Sequence, residues 1–131
     1  MISFAYTILY VKNVEKAIDF YEKVFDLKRK FIAPESSYGE LSTGATTLSF
    51  ASHELANTGL KDGFTASDPA QKPFAMEIGF TTDNVEGLVK KAVAAGAILI
   101  EEPKTKPWGQ VVAYVRDPEG FLVEICTPVV N

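Results

Sequence analysis

The stretch PWGQVVAYVRDPEGFLVEI, residues 107–125, decides the fold. Two apolar runs rich in Val, Ile and Tyr flank Asp117, Pro118, Glu119 and Gly120, residue types that favour a tight turn. The pattern predicts strands over Trp108–Arg116 and Phe121–Thr127. Alternation puts Leu122, Glu124 and Cys126 on one face of the second strand and Phe121, Val123 and Ile125 on the other. In the first strand Trp108, Gln110, Val112, Tyr114 and Arg116 share a side that resembles a cavity lining. One carboxylate, Glu124, therefore stands alone in an apolar strand, and a functional account of the chain has to explain it.

Upstream of this hairpin the same organisation occurs twice. Residues 2–11 alternate, with Phe4, Tyr6, Ile8 and Tyr10 on one side, which predicts a strand. Asn13 then offers an N-cap, Glu15 stands in the first turn, and Val14, Ala17, Ile18, Tyr21, Val24 and Phe25 recur at helical spacing. Three short strands are expected near 28–33, 37–43 and 46–51, separated by turn signals at Pro34 and Gly44. The second half repeats the plan. A strand is predicted over Phe74–Thr82, with Glu77 on the side of Ala75, Gly79 and Thr81. Asn84 caps a helix striped with Val85, Leu88, Val89 and Ala92, and Gly96 ends it. Strands over Ala97–Glu101, Trp108–Arg116 and Phe121–Thr127 complete the copy. The two NVE triplets, at 13–15 and 84–86, lie 71 residues apart, and the same offset sets Tyr6 opposite Glu77. The expectation is one α+β domain over residues 1–131, built from two tandem βαβββ modules: module 1 about 1–52, a linker loop 53–72, and module 2 about 73–131. The linker, HELANTGLKDGFTASDPAQK, is long and rich in turn residues, as lids and mobile linkers are.

Composition narrows the partners. Thirteen basic against seventeen acidic residues give a net charge of −4 with no basic run, which excludes the electrostatic footprint of a nucleic-acid or anionic-membrane binder. A small-molecule ligand is the better expectation. No apolar run approaches the ~20 residues that span a bilayer, and the first residues lack a positive leader and cleavage site, so a cytoplasmic location is expected. The single cysteine, Cys126, excludes an internal disulfide and a thiolate metal cluster.

The paired modules, the VEKAIDFYEKVFDL helix (14–27) and above all residues 107–125 resemble the vicinal oxygen chelate superfamily, which includes glyoxalase I, extradiol dioxygenases, fosfomycin-modifying enzymes and bleomycin resistance proteins. The resemblance covers essentially the whole chain and implies that each module curls into a half-barrel. It also implies a divalent metal held by inward His and Glu side chains on the first and last strands of each module. Carried over one position at a time, those ligands fall on Tyr6, Ser49, Glu77 and Glu124, of which only Glu124 matches. The one histidine, His53, either folds inward from the linker to join Glu77 and Glu124 or is exposed on a loop. The exposed reading is favoured because metal ligands are held on rigid elements. Two carboxylates alone would hold Mg²⁺ or Mn²⁺ only weakly, so no metal or other cofactor is expected, with a weakly bound divalent ion as the alternative.

Glu77 and Glu124, the candidate catalytic pair, would raise each other's pKa if they converge. They then act either as a general acid/base pair, as an anchor for a ligand's cation, or as structural acids bonded to Tyr6, Ser49 or water. Arg116 either pairs with Glu124 or lies outside at the strand end. Cys126 reads as a buried, inert thiol, and Trp108 as an amphipathic rim residue. The expected ligand-binding set is Tyr6, Ser49, Glu77, Trp108, Tyr114 and Glu124. The leading functional expectation is a metal-free small-molecule binder similar to bleomycin resistance proteins, taking a cationic or aromatic compound. The alternative is a lyase, isomerase or epimerase of the same superfamily using Glu77 and Glu124. In this resemblance the cavity is often completed by two chains, so a homodimer is expected.

Overall fold

Local sequence signals set the elements of both halves. The structure, a computed structural model, describes residues 1–129, and the chain divides into two compact units, Met1–Ala66 and Ser67–Asn131. Unit 1 runs β1 (Tyr6–Val11), α1 (Val14–Phe25), β2 (Lys28–Ile32), β3 (Tyr38–Ser42), β4 (Thr47–Ser52) and α2 (His53–Gly59). Unit 2 runs β5 (Ile78–Thr81), α3 (Val85–Ala94), β6 (Ile98–Thr105), β7 (Val111–Arg116) and β8 (Leu122–Cys126). Each unit holds one four-stranded sheet, ordered β1-β4-β3-β2 and β5-β8-β7-β6. In each, the first strand pairs in parallel with the last, and the other pairings are antiparallel. The architecture is α+β, two half-barrel-like βαβββ modules, as the duplicated pattern predicts.

The two NVE triplets do the same job in each copy. Asn13 Oδ1 accepts from the Lys16 amide and Asn84 Oδ1 from the Gly87 amide, both at 2.9 Å, so each satisfies an amide that a helix start leaves orphaned. The apolar stripe of α1 then packs on one face of its sheet, where Val14, Ile18, Tyr21 and Val24 are buried with Leu9, Val11, Leu41 and Phe50. Close approach there depends on Gly39, since a Cβ at that position would lie 2.4 Å from Ile18 Cδ1. In unit 2, Val85, Val89 and Ala92 of α3 are buried with Ala113, Val115, Val123 and Ile125. One face of each sheet is thus covered by its own helix, and alternation leaves the other for polar and aromatic side chains.

Several boundaries differ from the sequence pattern. The first strand begins at Tyr6 rather than residue 2, so Phe4 lies outside it and is 72% exposed. The strand expected from Phe74 begins only at Ile78: the Met76 amide donates to the Phe74 carbonyl at 2.8 Å, which bends the chain and leaves Glu77 just ahead of β5. The strand expected to end at Glu101 continues as β6 to Thr105, accommodated by two register shifts against β7. The linker is not structureless. Its first seven residues form α2, because the Ser52 hydroxyl accepts from the Leu55 amide at 3.0 Å and caps it.

The DPEG turn explains the segment that closes the linker. Asp117 Oδ1 accepts from the Glu119 and Phe121 amides at 3.0 and 2.9 Å, and Gly120 takes the left-handed backbone (φ +100°) the turn requires. Arg116 is neither a partner of Glu124 nor a surface residue. It is 5% exposed, and its guanidinium donates to the carbonyls of Gly120 (2.8 Å), Pro69 (3.1 Å), Asp68 (3.1 Å) and Gln71. At the end of β7 it thus ties down residues 68–71, whose own backbone bond runs from the Gln71 amide to the Asp68 carbonyl.

Candidate functional site

On the sheet face of unit 2 that α3 does not cover, β8 places Glu124 between two neighbours. Gly79 of β5 and Tyr114 of β7 are its register partners. Gly79 carries no side chain, and a Cβ built there would meet nothing within 4 Å, so the flank of Glu124 is open on that side. Glu77, two residues before Gly79, lies close enough to Glu124 for the two carboxyl groups to act on each other. Tyr114 Oη donates to Glu124 Oε1 at 3.1 Å from the other side.

The two carboxyl groups do not respond alike. Partial shielding from water, followed by the hydrogen bond and charge of Glu124, raises Glu77 above the ordinary carboxylate range. Desolvation also acts to raise Glu124, but hydrogen bonds from Cys126, Glu77 and Tyr114, with the charge of Lys106, outweigh it and leave Glu124 lowered. The expectation that each raises the other therefore holds for Glu77 only. Convergence displaces the two groups in opposite directions, Glu77 up and Glu124 down. Their neighbours stay neutral near pH 7. Desolvation and then the charge of Glu124 push the Tyr114 phenol up to about 12, and desolvation with the Glu124 contact pushes the Cys126 thiol up to about 11. Cys126 is buried, and its Sγ lies 3.8 Å from the Phe80 carbonyl.

Trp108 is not on β7. It sits in a turn closed by the Gly109 amide donating to the Lys106 carbonyl at 2.8 Å, with Gly109 at φ +91°. The alternation argument fails there because the turn interrupts the strand before Val111. The indole is 65% exposed, and Nε1 donates to Gln110 Oε1 at 2.9 Å.

Unit 1 holds the other two expected residues. Tyr6 opens β1 and is 52% exposed; Ser49 is fully buried in β4, next to Ile8 and Glu40 in register. Glu40 escaped the sequence reading, as did Tyr38, whose Oη donates to Glu40 Oε2 at 2.6 Å. Desolvation and then that hydrogen bond push the Tyr38 phenol up to about 12, with Ser49 acting in the opposite sense. The duplication itself was the available signal: the Glu40↔Ser49 register pair occupies the place that Tyr114↔Glu124 holds in the second copy. His53 is not an exposed loop residue. It opens α2 half-buried, its ring 5.5 Å from that of Phe64, and its Nε2 is buried without a hydrogen bond, as is Ser49 Oγ.

The donor chemistry does not fit the metal site the resemblance implies. At the implied positions unit 1 offers a phenol and an aliphatic hydroxyl, and unit 2 two neighbouring carboxyl groups, with no imidazole among them. Among the described residues no three His, Cys, Asp or Glu side chains gather as metal ligands.

With this geometry in hand, comparison with known proteins identifies the class. The model of the Glyoxalase/Bleomycin resistance protein/Dioxygenase superfamily matches residues 3–125. The chain belongs to that superfamily. Among curated proteins it is similar to Lactoylglutathione lyase GLX1 of Arabidopsis thaliana, 29% identical over 93% of this chain and 43% of that protein. The chain thus spans less than half the length of the curated relatives it matches. Among solved structures it resembles a glyoxalase-related enzyme from Fulvimarina pelagi, with TM-score 0.83 and 22% identity over 98% of this chain and 89% of that one. It also resembles a glyoxalase/bleomycin resistance protein/dioxygenase family enzyme from Burkholderia phytofirmans PsJN, with TM-score 0.81 and 24% identity over 98% and 100%. At such identities these structures speak for the fold alone. Among the described residues no helix is long and apolar enough to cross a membrane.

Proposed function

We propose that this chain is a metal-free small-molecule-binding protein, similar to bleomycin resistance proteins, that takes up a compound bearing a cationic or hydrogen-bond-donating group. The observation that carries this reading is the Glu77–Glu124 contact, in which Glu124 is lowered and Glu77 raised while the flanking phenol and thiol stay neutral. An ionised acceptor beside an open flank suits a donor or a cation, and disfavours an anion. The test is calorimetric titration with a panel of cationic and anionic aromatic compounds. Cations bind, anions do not, and Glu124→Gln weakens the cations by about 1.5–3 kcal/mol, the range for a hydrogen bond to a charged group. Elemental analysis after purification without added metal salts returns far less than one ion per chain. Tight anion binding, or unchanged cation affinity in Glu124→Gln, defeats the reading.

The name of the Arabidopsis relative favours a second reading, a lyase or isomerase of the same superfamily. There Glu124 would take a proton from substrate and Glu77 would return one, a division of labour that suits their opposite displacements. Turnover of the methylglyoxal–glutathione hemithioacetal would establish it, and the binder reading expects none. We further propose a cytoplasmic symmetric homodimer, supported by the exposed apolar side chains of two sheet-edge strands, Phe31 on β2 and Ile98, Leu99 and Ile100 on β6.

A further inference from the structure

Trp108 is the most exposed large aromatic of unit 2, yet its polar atom is engaged. Its Nε1 donates to Gln110 Oε1 at 2.9 Å, and Gln110 Nε2 in turn donates to the Thr127 carbonyl at 2.8 Å. The single polar atom of the indole is thereby satisfied, and the ring is oriented while remaining 65% exposed. Leaving the largest apolar side chain in water gains nothing for folding. A π-face presented in a fixed orientation is what a binding surface needs.

Trp108 lines a cavity of about 330 Å³ together with Asp83, Gln110, Thr127 and Pro128. The polar groups of Gln110 and Thr127 are engaged with one another and with the Val111 amide, which donates to Thr127 Oγ1 at 2.9 Å. Asp83 differs: it is the one charged residue on the wall, it is exposed, and its carboxylate has no hydrogen bond or ion pair among the described residues. The wall therefore offers a free negative charge and an aromatic face, and nothing that would compensate an anion. The volume lies at the small end of ligand pockets, enough for an alkylated ammonium head and too little for a peptide.

We propose that this cavity binds a small organic ammonium cation, its charge met by the Asp83 carboxylate and its alkyl groups resting on the Trp108 indole. The site uses none of Glu77, Tyr114 and Glu124, so it stands or falls separately from the function proposed above.

Choline and 3,3-dimethylbutan-1-ol, the uncharged carbon isostere of choline, separate charge from shape. Trp108 is the only tryptophan, so emission of the full-length chain reports on this cavity directly. Choline shifts the emission saturably, and the alcohol binds at least about tenfold more weakly. Asp83→Asn, an exposed change that leaves the melting temperature in place, loses about tenfold in choline affinity, whereas Glu124→Gln leaves it intact. The proposal is overturned if choline produces no saturable change, if the alcohol binds as tightly as choline, or if Asp83→Asn retains full affinity. Loss of choline binding in Glu124→Gln but not in Asp83→Asn also overturns it, and assigns the cation to the carboxyl pair instead.

Discussion

Replacing Tyr114 by Phe removes one donor from Glu124 and leaves the ring in place. The phenol, pushed up to about 12, is a neutral O–H donor throughout the physiological range. Its 3.1 Å contact with Glu124 Oε1 is long for a bond to a carboxylate. The low end of the range for hydrogen bonds to charged groups therefore applies, about 1.5 kcal/mol, which is about a tenfold change in the proton affinity of Glu124. The sign follows from the lowered Glu124. A carboxyl group whose folded pKa lies below its unfolded value adds stability above the ordinary carboxylate range, and that stability is lost as pH falls through the folded value. Tyr114→Phe should thus destabilise the protein by up to about 1.5 kcal/mol at pH 7 and by much less once the pH has fallen through the folded value of Glu124. Carboxyl ¹³C NMR across a pH series should show Glu124 titrating higher in the variant and Glu77 lower, because the charge of Glu124 that raises Glu77 is present over less of the range. If both titrations stay where they are in the wild type, or if the stability loss is the same above and below the Glu124 titration, the Tyr114 donor does not hold Glu124 ionised.

Two further outcomes test other parts of the structure. Arg116→Ala removes the side-chain donor to the carbonyls of Pro69, Gln71 and Gly120 and one of two donors to that of Asp68, and should cost about 3 kcal/mol in urea unfolding, with new protease cleavage within residues 67–72; resistance equal to wild type would show that the segment holds itself. Sedimentation at micromolar concentration should give twice the 14.3 kDa of one chain, and a monomer would leave the exposed edge-strand apolar residues without the proposed partner.

The sequence carried the periodic features well and the long-range ones poorly. Helix α1 falls on the predicted residues because its cap, stripe and terminator are all local. The duplicated NVE triplets placed both helix starts and, through the 71-residue offset, matched Tyr6 to Glu77. Strand ends were less legible: nothing in the alternation of residues 74–82 announces the bend at Phe74–Met76, nor does that of 108–116 announce the turn that takes Trp108 off β7. Arg116 could not be assigned because its acceptors at Asp68, Pro69 and Gln71 lie 45 to 48 residues away. His53 looked like a loop residue because α2 is too short to show a period, and only the Ser52 cap marks it.

The duplication also explains why the functional reading rests on the second module. Both copies place an acid and a hydroxyl in register on their last two strands, Glu40 with Ser49 and Glu124 with Tyr114, but the acid has moved from the third strand of the copy to the fourth. In module 1 the carboxylate is fully employed: Oε2 accepts from Tyr38 at 2.6 Å, and Oε1 lies 3.8 Å from Lys30 Nζ. Moved one strand over, the acid of module 2 meets no cation at ion-pair distance among the described residues. Its partners are the Tyr114 phenol at 3.1 Å, the Cys126 thiol and a second carboxyl group, beside a glycine that leaves its flank open. A paired acid needs no ligand to be satisfied. An acid held by neutral donors and a second carboxyl group, with no cation at ion-pair distance, gains when a cation arrives, and Glu124 is that acid.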